Sequence, residues 1–123
     1  MAKIMIVDDE SAIRFSVRSL LESEGYVVKE AINADDCWEK IQQDIPDLIL
    51  FDIRMPGTPA IEIIRRIKES PRLRKIRIVY MTAVIGAKEA TKRLEGVIDA
   101  IEKPFKNEEL IKIVNNALNK IIL

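Results

Sequence analysis

Short apolar runs alternate with longer amphipathic segments five times along the chain, and this alternation limits the fold more than any other feature of the sequence. The apolar runs are rich in β-branched residues and only four to six residues long, which is typical of strands. The run at 48–51 is apolar without alternation, as a central strand covered on both faces requires. The predicted strands are residues 4–7, 27–31, 48–51, 76–81 and 97–101.

The segments that follow these runs carry apolar residues at the spacing of one helix face. Gly25 is a stop signal after the first helix, Ser70-Pro71 ends the third, and Asn107 is the predicted N-cap of the fifth. The fourth helix, predicted at 87–94, is short and polar. The predicted helix-face residues are Ile13, Val17, Leu20 and Leu21 in the first helix, Cys37, Trp38 and Ile41 in the second, Ile61, Ile64 and Ile67 in the third, and Leu110, Ile113, Val114, Ala117 and Ile121 in the fifth.

This pattern predicts an α/β fold of five βα units, (βα)5. Strands that alternate with helices are joined by right-handed crossovers, which give a parallel sheet with helices on both faces. Five units are too few to close an eight-stranded barrel, so an open, doubly wound five-stranded parallel sheet remains. At 123 residues the chain is predicted to be one domain, 1–123. Its ligand site is expected at the carboxyl ends of the strands.

Polar side chains follow four of the five predicted strands. Asp8-Asp9-Glu10 follows the first strand, Asp52 the third, Thr82 the fourth and Lys103 the fifth strand and Glu102. Parallel strands bring these positions to one edge of the sheet. Clustered carboxylates need a cation, and an all-oxygen donor set favours Mg²⁺. An aspartate can itself attack phosphorus, and Asp52, on the central strand, is the best candidate for that nucleophile.

Composition excludes several other classes of protein. The chain has no histidine and one cysteine, Cys37, which excludes histidine dyads, histidine-ligated zinc and an intramolecular disulfide. Twenty basic and twenty acidic residues leave no net charge, so nucleic-acid binding is not expected. There is no signal peptide and no apolar run approaching the ~20 residues of a membrane span, so a cytoplasmic protein without a membrane partner is expected.

The ordered set Asp8-Asp9, Asp52, Thr82-Ala83 and Lys103-Pro104-Phe105 resembles the receiver domains of two-component response regulators, the CheY-like proteins. Single pieces of this set are weak signals, but the ordered set, with gaps of 43, 30 and 21 residues between Asp9, Asp52, Thr82 and Lys103, is specific. The resemblance spans essentially the whole chain. It implies a flavodoxin-like sheet with strand order 2-1-3-4-5.

The resemblance also implies a metal set and a phosphoryl acceptor. Asp52 would accept the phosphoryl group from a histidine kinase or a histidine phosphotransfer protein. Mg²⁺ would be bound directly by Asp9, through a water by Asp8, and by the backbone carbonyl of Arg54, with Asp52 completing the metal set.

Thr82 would be the switch hydroxyl and Lys103 the ammonium that pairs with the phosphoryl group, and Ala83 would leave room for it. A conformational change near strands 4 and 5 would then engage a downstream protein target. Such a module promotes transfer to itself rather than acting as an enzyme on other substrates, and it is expected to be a monomer.

Three departures from the family pattern bear on function. Pro59-Ala60 stands where Asp-Gly is usual, so the loop into the third helix is expected to differ. Ala100 replaces the usual aromatic residue three positions before the lysine. Arg54 and Val84, two residues after Asp52 and Thr82, occupy the positions that tune the lifetime of the phosphate in this family.

Other interpretations remain open from the sequence. A Mg²⁺-dependent phosphatase of the haloacid dehalogenase type also uses an aspartyl phosphate, but it carries a second aspartate where this chain has Arg54. A receiver piece of a longer regulator, acting as an interaction module, is a third possibility. The seven basic residues within 65–77, here called the basic segment, are interpreted as a solvated surface rather than as a nucleic-acid site.

Overall fold

The computed structural model describes residues 1–84, 86–94 and 96–120, and within them the chain forms five strands and five helices in strict alternation. The strands are β1 (Lys3–Val7), β2 (Val27–Ala31), β3 (Leu48–Asp52), β4 (Arg77–Thr82) and β5 (Asp99–Glu102). The helices are α1 (Ser11–Ser23), α2 (Ala34–Gln43), α3 (Ala60–Glu69), α4 (Lys88–Lys92) and α5 (Asn107–Leu118).

The strands form one parallel sheet in the order β2-β1-β3-β4-β5, which confirms the predicted (βα)5 fold and strand order. β3 lies in the middle and is buried along its whole length, as its unbroken apolar run predicts. β1 and β4 flank it, so the ends of β1, β3 and β4 lie side by side at the carboxyl edge of the sheet.

Each face of the sheet is covered by helices, which gives two cores. On one face Phe51 packs with α2 and α3, represented by Cys37 and Ile63. On the other face Leu50 packs with α1 and α5, represented by Leu21 and Val114. Alternate residues of β3 therefore enter opposite cores, and Asp52, the next residue after Phe51, lies on the side of α1 and α5.

The predicted strand boundaries are wrong at six starts or ends. β4 begins at Arg77 and β5 at Asp99 because the backbone N–H groups of Ile76 and Val97 bond to turn carbonyls, those of Leu73 and Leu94, and not to a neighbouring strand. Conversely, β1 begins one residue earlier than predicted, and β3, β4 and β5 each end one residue later. Asp52 and Thr82 are therefore the last residues of their strands.

Helix termini agree with the sequence at α1 and differ at α5. Gly25, with φ of 92°, follows the end of α1 and donates to the carbonyl of Glu22, as predicted. The prediction of Asn107 as N-cap is wrong: Lys106 has the extended N-cap conformation, and its N–H donates to Glu109 Oε1 at 3.4 Å. Ile121, predicted on the apolar face of this helix, lies outside the described residues.

The basic segment lies at the opposite edge of the sheet from the strand ends, where helices α2, α3 and α5 end. Arg72 donates to the carbonyl of Gln42 in the last turn of α2 at 2.6 Å, and Arg77 donates to the carbonyl of Lys120 just after α5 at 2.7 Å. Lys68 donates to the carbonyls of Arg74 and Ile76. Cations at helix C-termini satisfy free carbonyls and oppose the negative end of the helix dipole, which gives Arg72 and Arg77 a structural role.

Candidate functional site

The carboxyl end of β1 forms a cluster of three acids, Asp8, Asp9 and Glu10, here called the acidic turn. One carboxylate oxygen from each residue lies within 4.8 Å of the others. Asp8 is fully buried, and its Oδ1 accepts the N–H of Glu10 at 2.9 Å. Asp9 and Glu10 are exposed. The acidic turn therefore presents carboxylates to solvent beside a buried one.

Asp52 ends the central strand and is only 5% exposed. Its Oδ1 accepts the N–H of Arg54 at 3.3 Å, and its Oδ2 lies 3.6 Å from the ammonium of Lys103. Burial raises the pKa of Asp52, and the charges of Asp8 and Asp9 raise it further, while Lys103 and the Arg54 N–H act in the opposite direction. The carboxylate is thus partly desolvated, has a cation beside it and faces the acidic turn.

Lys103 joins the acidic turn to Asp52. Its ammonium donates to Asp8 Oδ2 at 2.6 Å, and its side chain is 14% exposed. Burial opposes the charge, but the hydrogen bond to Asp8 and the charges of Asp52 and Asp8 leave the pKa of Lys103 above its usual value. The backbone N–H of Lys103 donates to the carbonyl of Thr82 at 2.7 Å, which fixes the base of the side chain against β4.

Thr82 is the last residue of β4 and is buried. Its Oγ1 accepts the N–H of Val84 at 3.1 Å, and in the β4–β5 pairing it lies opposite Glu102, directly before Lys103. Asp52 pairs with Met81, so Asp52 and Thr82 end adjacent strands one register step apart. The side chain of Val84 and that of Arg54 are exposed at this edge.

The donor set fits a hard divalent cation. The acidic turn offers carboxylate oxygens from Asp8, Asp9 and Glu10, and Asp52 is a further carboxylate that shares the Lys103 ammonium with Asp8. Oxygen-only donors of this kind suit Mg²⁺. Glu10 is a member of the acidic turn that the predicted metal set omits; its place in the acidic run after β1 was the signal for it.

A (βα)5 sheet whose carboxyl edge carries clustered acids, a buried aspartate, a threonine and a lysine defines a class of phosphoryl-accepting signalling domains. The chain belongs to the response regulator receiver domains, whose family model matches residues 4–115. It is therefore a two-component receiver, and it is a signalling module. Receiver domains bind Mg²⁺ at an acidic pocket, and the acidic turn supplies such a cluster.

The chain is similar to transcriptional regulators that are about twice its length. It is 33% identical over 119 residues to the phosphate regulon transcriptional regulatory protein PhoB of Rhizobium meliloti, covering 96% of this chain and 52% of that protein. It is 38% identical over 119 residues to the transcriptional regulatory protein ResD of Bacillus subtilis, covering 96% of this chain and 48% of that protein. The chain thus spans about half the length of these curated relatives.

Solved structures of single receivers match almost end to end. A response regulator structure from Chloroflexus aurantiacus superposes with a TM-score of 0.87 at 27% identity, covering 97% of this chain and 98% of that one. The chemotaxis protein CheY4 of Vibrio cholerae gives a TM-score of 0.86 at 27% identity, covering 95% and 98%. The predicted resemblance and fold class are confirmed, and the receiver is favoured over the haloacid dehalogenase type of phosphatase.

Among the described residues no helix has the length and apolar character that crossing a bilayer requires. Receiver domains interact with histidine kinases and with downstream effectors.

Proposed function

We propose that Asp52 accepts a phosphoryl group from a phosphohistidine of a kinase or a phosphotransfer protein. The observation that supports this assignment is the shared ammonium of Lys103, which lies 2.6 Å from Asp8 and 3.6 Å from Asp52 at the carboxyl edge of the sheet. Asp52 is the central carboxylate of this group and has a strand of the site on either side.

The transfer forms one bond and breaks one. A carboxylate oxygen of Asp52 attacks phosphorus, the bond between phosphorus and the histidine nitrogen breaks, and the electron pair returns to the imidazole, which takes up a proton. The attacking group must be ionised, and Lys103 favours that state by its charge. The Lys103 ammonium then pairs with a negatively charged phosphoryl oxygen, and the Thr82 hydroxyl donates a hydrogen bond to another of these oxygens.

The residues proposed to hold Mg²⁺ are Asp8, Asp9 and Asp52, with the backbone carbonyl of Arg54, and Glu10 borders them. When bound, the ion neutralises charge on the phosphoryl oxygens and on the carboxylates around them. The chain's own contribution is to hold the acids close together before the ion arrives, with Asp8 fixed through both of its carboxylate oxygens.

Arg54 and Val84 are proposed to lengthen the life of the phosphorylated state. Hydrolysis needs a water in line with phosphorus, and neither side chain can act as a base toward that water. Both side chains are exposed at the edge where the phosphoryl group would sit, so they can exclude water from it. Arg54→Asn is expected to shorten the half-life of the phosphorylated protein, and an equal or longer half-life would contradict this role.

Phosphorylation is proposed to change the conformation at the carboxyl ends of β4 and β5. Thr82 already accepts the Val84 N–H, so movement of its hydroxyl toward a phosphoryl oxygen breaks that bond and releases the segment after β4. The output is a change near strands 4 and 5 that a downstream protein recognises. The chain is proposed to act in the cytoplasm as a monomer.

The test is phosphorylation by acetyl phosphate, followed by intact mass. The wild type should gain one phosphoryl group with Mg²⁺ and none with EDTA, and Asp52→Asn should gain none. Asp44→Asn is the matched control, because Asp44 is an exposed aspartate paired with Lys3 at a site remote from Asp52 in the fold. A phosphoryl group on Asp52→Asn would refute the assignment of the acceptor.

A second candidate function is that of the receiver part of a longer transcriptional regulator. The chain covers only 52% of PhoB and 48% of ResD in the relatives named above, and both are named as transcriptional regulators. The length of the open reading frame that encodes this chain distinguishes this function from that of a stand-alone receiver.

A further inference from the structure

Arg14, in the first turns of α1, contacts the acidic turn through its guanidinium group. Its Nη1 donates to the backbone carbonyl of Asp8 at 2.8 Å, and its Nε donates to Glu30 Oε1 at 2.9 Å. The side chain is 15% exposed. Arg14 is one of several charged residues on an amphipathic helix, so the sequence pattern alone does not distinguish it.

Glu30 holds the guanidinium in place. It lies on β2, paired with Ile6 of β1, and its second oxygen accepts from Arg18 Nη1 at 2.9 Å. Arg14 and Arg18 therefore lie one helical turn apart and bind the same carboxylate. They differ in their second acceptor among the described residues. Arg14 also donates a hydrogen bond to the backbone carbonyl of Asp8, whereas Arg18 also donates one to the Glu22 carboxylate on the helix surface.

Asp8 is thus fixed through its backbone as well as through its side chain. Its N–H donates to the carbonyl of Ala31 at 3.2 Å, its carbonyl accepts from Arg14, and its two carboxylate oxygens accept from Glu10 N–H and Lys103. A peptide carbonyl held by a planar guanidinium cannot rotate without breaking that bond. The orientation of the acidic turn therefore depends on Arg14.

We propose that Arg14 is a positioning residue for the metal site: by anchoring the Asp8 carbonyl, it keeps the carboxylates of the acidic turn directed at one point. The inference rests on the proposed function of this site in binding Mg²⁺. Groups that orient metal ligands commonly change affinity by about tenfold or more when they are altered.

The sign of the effect separates positioning from simple electrostatics. A cation beside an Mg²⁺ site repels the ion, so neutralising Arg14 would strengthen binding if charge alone mattered. Loss of positioning weakens binding instead. Arg14→Lys keeps the charge but cannot bond the Asp8 carbonyl and Glu30 with one planar fork, so positioning predicts weaker binding for this variant too.

The experiment is calorimetric titration of Mg²⁺ into the wild type, Arg14→Gln, Arg14→Lys and Arg18→Gln. Both Arg14 variants are expected to bind Mg²⁺ about tenfold more weakly. Arg18→Gln is the matched control, because it loses a bond to the same Glu30 without touching Asp8, and its affinity should stay within about twofold of the wild type. If Arg14→Gln does not fold, Arg14→Lys provides the test.

A second measurement uses the metal-free protein. The N–H of Glu10 donates to Asp8 Oδ1, so its hydrogen exchange reports opening of the acidic turn. Exchange at this amide should be faster in Arg14→Lys than in the wild type and unchanged in Arg18→Gln. Two results would overturn the positioning role and leave the metal site itself standing. One is that the Arg14 variants bind Mg²⁺ as tightly as the wild type or more tightly. The other is that hydrogen exchange at the Glu10 amide is unchanged in these variants. A wild type that binds no Mg²⁺ overturns the proposed metal site, and the inference with it.

Discussion

Removal of the Lys103 ammonium tests how the site balances its own charge. Asp8 is 0% exposed, Asp52 is 5% exposed, and both lie within 3.6 Å of this nitrogen. Lys103→Met preserves most of the side-chain volume but leaves two buried carboxylates without their countercharge. Breaking a buried ion pair in this way costs about 3–5 kcal/mol. With an unfolding entropy of about 2.1 cal/mol/K per residue over 123 residues, that cost lowers the melting temperature by about 12–19 °C.

The assay is thermal unfolding followed by circular dichroism, first in EDTA and then in excess Mg²⁺. The variant should lose stability in EDTA and regain part of it with Mg²⁺, because the ion supplies positive charge to the same carboxylates. A ligand at a hundredfold excess over Kd stabilises the native state by about 2.7 kcal/mol. The rise in melting temperature on adding Mg²⁺ should therefore be larger in Lys103→Met than in the wild type.

Lys3→Met is the matched control for this experiment. Lys3 lies 2.7 Å from Asp44, a separation close to that of Lys103 and Asp8, but both partners are exposed. Exposed pairs contribute little to stability, so this variant should melt close to the wild type. A Lys103→Met protein that melts in EDTA as high as the wild type would refute the reasoning, since its two carboxylates would then not need the ammonium.

Three further outcomes follow from other titratable groups of the chain. Asp9→Asn should melt higher than the wild type in EDTA, because it removes a like charge from the acidic turn. Its melting temperature should also rise less than that of the wild type when Mg²⁺ is added. A variant that melts lower than the wild type in EDTA would count against the clustering of the three carboxylates. Hydrogen bonds from Arg18 and Arg14 hold the pKa of Glu30 below its usual 4.5, so its stabilisation is present above that pH and is lost as the pH falls through the lowered pKa. The gap in melting temperature between the wild type and Glu30→Gln should therefore close as the pH is lowered below 4.5. Burial raises the pKa of the Cys37 thiol to about 12, so a thiol reagent at pH 8 should label native protein only as fast as it unfolds, and rapid labelling would show that Cys37 is accessible.

The sequence was sufficient to predict the fold and the location of the site because both depend on position along the strands. Once the sheet is parallel, Asp8, Asp52, Thr82 and Lys103 must come to one edge, whatever the details of packing. The contacts of Lys103 with Asp8 and Asp52 agree with this expectation. The roles assigned to these residues are predictions for the assays above.

Contacts that join distant segments could not be predicted in the same way. Nothing in the local pattern indicates that Arg14 bonds the Asp8 carbonyl while Arg18 does not, because both residues occupy the polar face of α1. The basic segment posed a similar problem: the sequence favours a solvated surface for its charges, but it does not indicate that Arg72 and Arg77 bond carbonyls at the ends of α2 and α5.

Ala100 illustrates how a neighbouring strand can change the meaning of a substitution. The resemblance to receivers predicts an aromatic residue at this position, but the residue here is alanine. Tyr80 is the direct partner of Ala100 across β4 and β5, and both side chains are buried in the same core. Burial raises the pKa of Tyr80 to about 12. A large aromatic ring and a methyl group therefore share this part of the core, with the ring on β4 and not on β5.

This arrangement predicts that the two positions are coupled through volume. Ala100→Tyr adds a second ring opposite Tyr80 and should cost about 1–3 kcal/mol by overpacking. Tyr80→Ala leaves a cavity and should cost about 3–5 kcal/mol, as other large aromatic core residues do. The double variant moves the ring from β4 to β5. Its loss in unfolding free energy should therefore be smaller than the sum of the two single losses by more than about 1 kcal/mol. Denaturant unfolding of the four proteins gives this coupling energy. Single losses that add to within about 0.5 kcal/mol would show that the ring of Tyr80 and a side chain at position 100 do not compete for the same space.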